Sequence, residues 1–198
     1  MQRFDHGGVV QLVLGIRKQD PRSLPTKQEV AVVLDPLTAA LRAGDVECVV
    51  PRGVQEDPAT HGDTIQAHKW VKLVWNAAFN PVSAFAGGMT TRTILQDPQL
   101  RQVVRSAMDE VHAVGQADIG GPLPPSVRPS APEEMIAFTE SRGSVTPSMM
   151  VDLQQKRPME REALLGNAVA AGARLGVPTP VLHTLYALLT AIERTYSS

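Results

Sequence analysis

The chain has 198 residues, of which 43% are hydrophobic and 20% charged; this fits one folded domain, or one domain and part of another, and excludes wholesale disorder and fibrous repeats. The formal net charge of -1 supplies no strong electrostatic field, so we expect neither nucleic acid nor an anionic membrane as a partner. The single cysteine, Cys48, excludes an internal disulfide framework. The N-terminus has no apolar stretch behind a basic cluster, so we expect a cytoplasmic protein without a secretory signal.

The first sixty residues are predicted to alternate strand and helix. Two short runs of apolar and β-branched residues, 9–16 and 46–50, have the length and composition of buried strands. Between them, residues 27–43 carry apolar side chains at helical spacing, and Asp35 followed by Pro36 offers a point at which the helix could restart. The spaced apolar residues are Val32, Leu37 and Leu41. This order indicates α/β material that is too small for a complete sheet domain.

From about residue 60 onwards the apolar residues recur every three or four positions, which indicates helices. Asp63 is predicted to cap a long helix that ends at the glycine pair Gly87 and Gly88. Asp97 followed by Pro98 opens a second long helix with one apolar stripe. The stripe consists of Leu100, Val103, Val104, Met108, Val111 and Val114.

The rest of the chain is predicted to contain a proline-dense connection and several shorter helices. Residues 120–132 form the connection, and the helices cover residues 133–141, 148–156, 160–175 and 180–195. Thr179 and Pro180 are of the types expected for the N-cap and first position of the last helix. We therefore predict a mainly α fold, with a remnant of an α/β nucleotide-binding domain over residues 1–60 and a helical domain over residues 61–198.

A row of polar residues lies on the first long helix. Lys72, Asn76 and Asn80 follow one another at intervals of four and share one face, whereas most of their neighbours are apolar. Burial would destabilise the ammonium form of such a lysine and suit it to proton donation, and the two amides would each hold a substrate oxygen. Alternatively, Lys72 reaches solvent and the asparagines bond neighbouring backbone, and spacing alone does not distinguish these interpretations.

A second group of candidate residues follows in the later helices. Ser148 begins one predicted helix and Glu160 lies in the first turn of the next. Serine is a common N-cap and glutamate complements the helix dipole, so a structural role competes with a functional one at both positions. The small residues that follow permit close helix packing, which favours a crowded core or a subunit interface over a ligand site. They are Gly166, Ala168, Ala171 and Gly172.

Together these motifs resemble the C-terminal domain of ketopantoate reductase (2-dehydropantoate 2-reductase). The resemblance covers about residues 60–195 and rests on five features in register: the K-x-x-x-N-x-x-x-N helix, Ser148 and Glu160 twelve residues apart, the Gly166 and Asn167 pair, the GVPTP turn and the MDEVHAVG segment. It implies a mainly α, multi-helix domain of the 6-phosphogluconate dehydrogenase C-terminal-like type, preceded by a small α/β remnant.

By this resemblance the family's activity is the NADPH-dependent reduction of 2-dehydropantoate to pantoate, a step of pantothenate and coenzyme A biosynthesis. Lys72 is then the general acid that protonates the carbonyl oxygen, and Glu160 is the second catalytic residue, which positions the substrate and the lysine. Asn76, Asn80 and Ser148 are the implied substrate-binding residues. The implied ligands are NADPH and a small 2-oxo acid, and the implied assembly is a homodimer.

The chain departs from the family pattern in two places. It has no G-x-G-x-x-G string, in which close backbone approach holds a dinucleotide pyrophosphate, so this chain alone is not expected to bind NADPH in the usual way. Val145 stands where the resemblance leads us to expect a polar residue. Three functions therefore remain open: a ketopantoate reductase, a truncated and non-catalytic helical module for dimerisation or interaction, and a reductase of another 2-oxo acid.

Overall fold

The structure, a computed structural model, describes residues 11–13, 26–43, 47–49, 65–124 and 128–196. The chain divides into two compact units, residues 1–68 and residues 69–198. The described part is mainly helical, which confirms the predicted fold class.

The first unit contains a parallel pair of short strands. Strand β1 (Gln11–Val13) pairs with strand β2 (Glu47–Val49) so that Leu12 lies opposite Cys48. Helix α1 (Lys27–Ala43) lies between them in sequence, as a parallel pair requires a long connection. The predicted order of strand, helix and strand is confirmed here, while residues 9, 10, 14–16, 46 and 50 of the predicted strands lie outside the described residues.

Helix α1 differs from the sequence-based expectation in the face that it buries. Val32 and Leu37 are 69% and 45% exposed, whereas Leu34 and Thr38, which are four positions apart, are buried. The helix also continues through Pro36 instead of restarting there. Proline cannot donate to the carbonyl four residues earlier, but that carbonyl belongs to Val32 on the exposed face, where water can replace the lost bond.

The other secondary-structure elements of the described residues are helices. In chain order these are α2 (Ile65–Phe85), α3 (Thr91–Gln96), α4 (Pro98–Ile119), α5 (Pro132–Ser141), α6 (Met149–Gln154), α7 (Asn167–Leu175) and α8 (Pro180–Arg194). A π-helical turn, Glu162–Gly166, precedes α7 within the predicted 160–175 helix. Helix α3 was not predicted, and Asp63, the predicted cap of α2, lies outside the described residues.

Helix α4 is central to the second unit and contacts α3, α5, α7 and α8. Asp97 accepts hydrogen bonds from the N–H groups of Gln99 and Leu100 at 2.8 and 3.0 Å, which confirms it as the N-cap. The predicted apolar stripe is also confirmed, except that Val103 is 36% exposed. The fully buried stripe residues are Val104, Met108, Val111 and Val114.

Helix α2, which carries three of the candidate site residues, lies against α4. A Cβ atom at Gly115 would be 3.0 Å from Cβ and Cγ of Trp70, so glycine is needed for this approach. The Trp70 Nε1–H donates to Asp118 at 2.9 Å, and Arg174 of α7 donates to the other oxygen of the same carboxylate at 3.0 Å. The segment of α2 that leads to Lys72 is therefore anchored to α4 and, through Asp118, to α7.

The N-terminus of α8 is capped by a residue of α4 instead of Thr179. Thr179 occupies the predicted N-cap position, but its side chain makes no capping bond. The Glu110 carboxylate accepts hydrogen bonds from the N–H groups of Val181 and Leu182 at 2.9 and 2.8 Å. A carboxylate satisfies two N–H donors at once and complements the helix dipole. Pro180 occupies the first turn of α8 as predicted.

Candidate functional site

The polar row on α2 runs from the surface into the core. Lys72 is exposed and Asn76 is half-buried, whereas Asn80 is only 3% exposed. The amide of Asn80 donates from Nδ2 to the carbonyl of Asn76 at 3.1 Å. The observed environment of Lys72 and Asn80 therefore matches the interpretation in which the lysine reaches solvent and the asparagine bonds backbone.

Asn80 also holds the start of α6, where Ser148 lies. Its Oδ1 atom accepts hydrogen bonds from the N–H of Met149 at 3.0 Å and from the Ser148 hydroxyl at 3.4 Å. Ser148 occupies the N-cap position without making a side-chain capping bond. The capping role considered for Ser148 is thus filled by a buried amide from α2, and the Ser148 side chain remains exposed.

Glu160 lies in a turn that the end of α8 holds. Glu160 is exposed, but Met159 before it is buried and donates its N–H to Oε1 of Glu193 at 2.9 Å. Arg161 after it forms an ion pair with the other oxygen of Glu193. The carbonyl of Glu160 accepts the N–H of Leu164 at 2.9 Å, so the helical segment starts directly after this turn.

Arg161 connects this turn to several side chains. It donates to Glu162 at 2.7 Å and to the hydroxyl oxygen of Tyr186 at 3.2 Å, and its guanidinium lies 5.7 Å from the centre of the Tyr186 ring. The hydrogen bond from Arg161 holds the pKa of the Glu193 carboxyl below its usual value, although burial opposes this shift. The same bond raises the pKa of Arg161.

The π-helical turn packs tightly against α8. A Cβ atom at Gly166 would collide with the Glu162 carboxylate and lie 3.1 Å from Cε2 of Tyr186, and the Tyr186 hydroxyl donates to Glu162. Gly172 is crowded as well, because a Cβ there would lie 2.8 Å from Thr179 Cγ2. The predicted close packing at the small residues is confirmed at these two glycines, and π-helical turns are frequent at functional sites.

The structure joins two of the five candidate residues directly, namely Asn80 and Ser148. Asn76 is linked to Asn80 through its backbone carbonyl. Lys72 and Glu160 are both exposed, and over the residues that the structure describes no ion pair joins them.

Sequence reasoning missed Glu193 and Arg161, which support the Glu160 turn. The two are 32 residues apart, and no spacing rule links them. One signal was available: Glu193 lies in the last turn of α8, where the helix dipole disfavours a carboxylate. An acidic residue in that position indicates a partner elsewhere in the fold.

The described residues show few other features of a ligand site. They contain no group of three side chains suited to hold a metal ion, and none of their helices is long and apolar enough to cross a membrane. An open pocket of about 280 Å³ lies between α3 and α5 and includes none of the five candidate residues. Its lining consists of Arg92, Leu95, Gln96, Thr139, Glu140 and Gly143.

Comparison with known families identifies the helical part of the chain. A sequence profile described as "Ketopantoate reductase PanE/ApbA C terminal" matches residues 64–193, which is more than half of the chain. The match and the helical fold define the class: the C-terminal domain of a ketopantoate reductase. The chain belongs to the ketopantoate reductase family.

Individual relatives agree with this assignment. The 2-dehydropantoate 2-reductase of Mesorhizobium japonicum is 34% identical over 134 residues, which cover 67% of this chain and 39% of that protein. The one of Vibrio cholerae is 30% identical over 140 residues, 71% of this chain and 45% of that protein. The crystal structure of 2-dehydropantoate 2-reductase from Methylococcus capsulatus has a TM-score of 0.73 at 33% identity and covers 96% of this chain and 57% of that chain. The chain thus spans about two fifths of these curated relatives.

Proposed function

We propose that the chain carries the 2-oxo acid-binding part of a ketopantoate reductase, whose complete reaction reduces 2-dehydropantoate to pantoate. The observation that carries this proposal is the junction of Asn80 and Ser148, in which two candidate substrate-binding residues from distant parts of the chain meet. Family membership and the 2-dehydropantoate 2-reductases among the relatives support the choice of substrate.

Lys72 is the proton donor in this proposal. Reduction of a ketone turns its carbonyl oxygen into an alkoxide that needs a proton, and the ammonium of Lys72 delivers it from Nζ. The Ser148 hydroxyl and the Asn76 amide hold oxygen atoms of the substrate. Asn80 binds the substrate at the same place and keeps Ser148 in position, and Glu160 orients the substrate and the lysine.

NADPH is the reductant that this family's reaction implies, but the residues present do not fit a dinucleotide. The chain has no G-x-G-x-x-G string. Tight glycine turns are what allow backbone N–H groups to approach a pyrophosphate. The proposal for this chain is therefore limited to binding the 2-oxo acid and supplying the proton.

We also propose a two-part organisation, with the last part of an α/β nucleotide-binding domain over residues 1–60 and the helical domain over residues 61–198. The parallel pairing of β1 and β2 around α1 supports the first part, because dinucleotide-binding domains are built on parallel strands. The cytoplasm is the proposed location.

A homodimer is the proposed assembly. One structure of similar fold, 18% identical to this chain, is described as a dimeric ketopantoate reductase from Staphylococcus aureus. Light scattering of the purified chain tests the proposal, and a mass corresponding to the monomer at every concentration would contradict it.

Binding of 2-dehydropantoate to the purified chain, measured by calorimetry, tests the proposed function. We expect saturable binding that Lys72→Ala weakens by about tenfold, equivalent to about 1.4 kcal/mol. Lys69→Ala is the matched control, because Lys69 is an exposed lysine one turn earlier on α2, and it is expected to change affinity less than about twofold. Equal effects of the two variants would contradict a specific role of Lys72.

A turnover assay separates the remaining alternatives. With NADPH and 2-dehydropantoate, the chain alone is expected to show no oxidation of NADPH above the Lys72→Ala variant. Turnover above that variant would show that the chain holds the cofactor without a glycine-rich loop. Absence of both turnover and 2-dehydropantoate binding would favour the non-catalytic helical module.

A further inference from the structure

Glu193 contacts both neighbours of Glu160. Its Oε1 accepts the N–H of Met159 at 2.9 Å and its Oε2 pairs with Nε of Arg161. The side chains of Glu193 and Arg161 are 13% and 26% exposed, and no other ion pair among the described residues has both partners so well covered. We call the contacts of Glu193 with Met159 and Arg161 the Glu193 clamp.

The Glu193 clamp restrains the backbone from which Glu160 projects. The bond to the Met159 N–H fixes the peptide plane between Pro158 and Met159, and the bond to the Arg161 side chain ties down the residue after Glu160. Tyr196, three residues beyond Glu193, donates its hydroxyl to the carbonyl of Arg157 at 3.3 Å. Glu193 at the end of α8 and Tyr196 just after it thus hold the turn at three points and leave Glu160 itself exposed.

Stability alone is a weak reason for such a clamp. Met159 is already buried and anchors the turn through its apolar side chain, whereas a covered ion pair loses much of its Coulombic gain to desolvation. The ion pair instead fixes the orientation of the Glu193 and Arg161 side chains, because each oxygen of the Glu193 carboxylate accepts a hydrogen bond from one donor. Tyr186 and Glu162 hold the other side of the Arg161 guanidinium, so the guanidinium has little freedom to turn away.

We propose that Glu193 is a positioning residue for Glu160. It does not touch the substrate and acts only through the turn that presents the Glu160 carboxylate to the 2-oxo acid. This inference rests on the proposed function, in which Glu160 orients the substrate.

A double-mutant cycle on the full chain tests it, with 2-dehydropantoate affinity as the readout. We expect Glu193→Gln, which keeps the size of the side chain and removes its charge, to weaken binding at least fivefold. In a chain that already carries Glu160→Gln, the same change is expected to alter affinity less than about twofold, because the residue through which it acts is gone. Glu133→Gln is the matched control, since it removes an ion pair with Arg105 on the exposed surface, and it should leave affinity unchanged.

The cycle has outcomes that overturn the inference. Equal weakening with and without Glu160, or no effect of Glu193→Gln, would show that Glu193 does not act through Glu160. If Glu193→Gln fails to fold, Arg161→Lys replaces it in the cycle, because lysine keeps the charge but lacks the Nε donor.

A second readout separates failure of this inference from failure of the proposed function. The carboxyl carbon of Glu160, assigned in NMR spectra by its loss in Glu160→Gln, is compared between the wild-type chain and Glu193→Gln without ligand. A shifted or broadened signal supports positioning even if the wild-type chain binds no 2-dehydropantoate, a result that would refute the proposed function only. An unchanged Glu160 signal would overturn the inference.

Discussion

Replacement of Gly172 by leucine tests the tight turn between α7 and α8. A Cβ atom at this position would lie 2.8 Å from Thr179 Cγ2 and 2.9 Å from the carbonyl oxygen of Val177. The second contact is with backbone, which cannot rotate aside, and the N–H of Val177 also donates to the Gly172 carbonyl at 2.9 Å. Overpacking costs about 1–3 kcal/mol, and a leucine side chain belongs at the upper end of that range.

The expected net loss of stability is about 2 kcal/mol, because the better helix propensity of leucine offsets about 0.8 kcal/mol. A loss of this size lowers Tm by about 4–8 °C in a chain of this length, and calorimetric melting of the purified chain measures it. Ala173→Leu is the control: Ala173 is exposed on the same helix, so its Tm is expected to stay within about 2 °C of wild type. A Gly172→Leu chain that melts like this control would refute the packing argument.

Three further predictions concern single residues, and urea unfolding measures each. Asn80→Ala removes the buried acceptor of the Met149 N–H, and we expect a loss of about 1–3 kcal/mol; an unchanged midpoint would contradict the cap. Glu110→Ala uncaps α8 and is expected to lower the free energy of unfolding by about 1–2 kcal/mol. A stability equal to that of the wild type would mean that water satisfies the two N–H groups equally well. Burial lowers the pKa of His112 from 6.5, so this histidine takes up its proton at a higher pH in the unfolded chain than in the folded chain. The free energy of unfolding therefore decreases as pH falls below about 6.5. His112→Asn should reduce this slope, and an unaltered slope would exclude His112 as its source.

Local signals in the sequence were sufficient to predict most helices of the helical domain. The Asp97 cap, the stop at Gly87 and Gly88 and the stripe on α4 each depend on residues within a few positions of one another. Such signals act through short-range backbone bonds and side-chain periodicity, which are the same in most folds. The order of the site motifs also indicated the family, because several motifs stand at fixed spacings along the chain.

The interactions that hold the site were beyond sequence reasoning. Asn80 caps a helix 69 residues away and Glu110 caps one 71 residues away, so the packing of helices decides which polar group meets which N–H. The six-residue helix α3 is too short to show a periodic pattern. The apolar neighbours of Lys72 left its burial open, and the structure exposes its side chain, since one exposed position on a helix is compatible with burial of the rest.

The electrostatics of the Glu193 clamp determine what a pH profile of 2-oxo acid binding reports. The hydrogen bond from Arg161 holds the pKa of Glu193 below its usual value and raises the pKa of Arg161, so both groups stay charged at neutral pH. The contribution of Glu193 is therefore complete above its usual pKa of about 4.5 and is lost only as pH falls through its lower folded value. A change in affinity between about pH 6 and 8 must then arise from other groups, and Glu193→Gln is expected to lower affinity by the same factor across that range. A factor that varies with pH there would show that the clamp titrates near neutrality, which its geometry opposes.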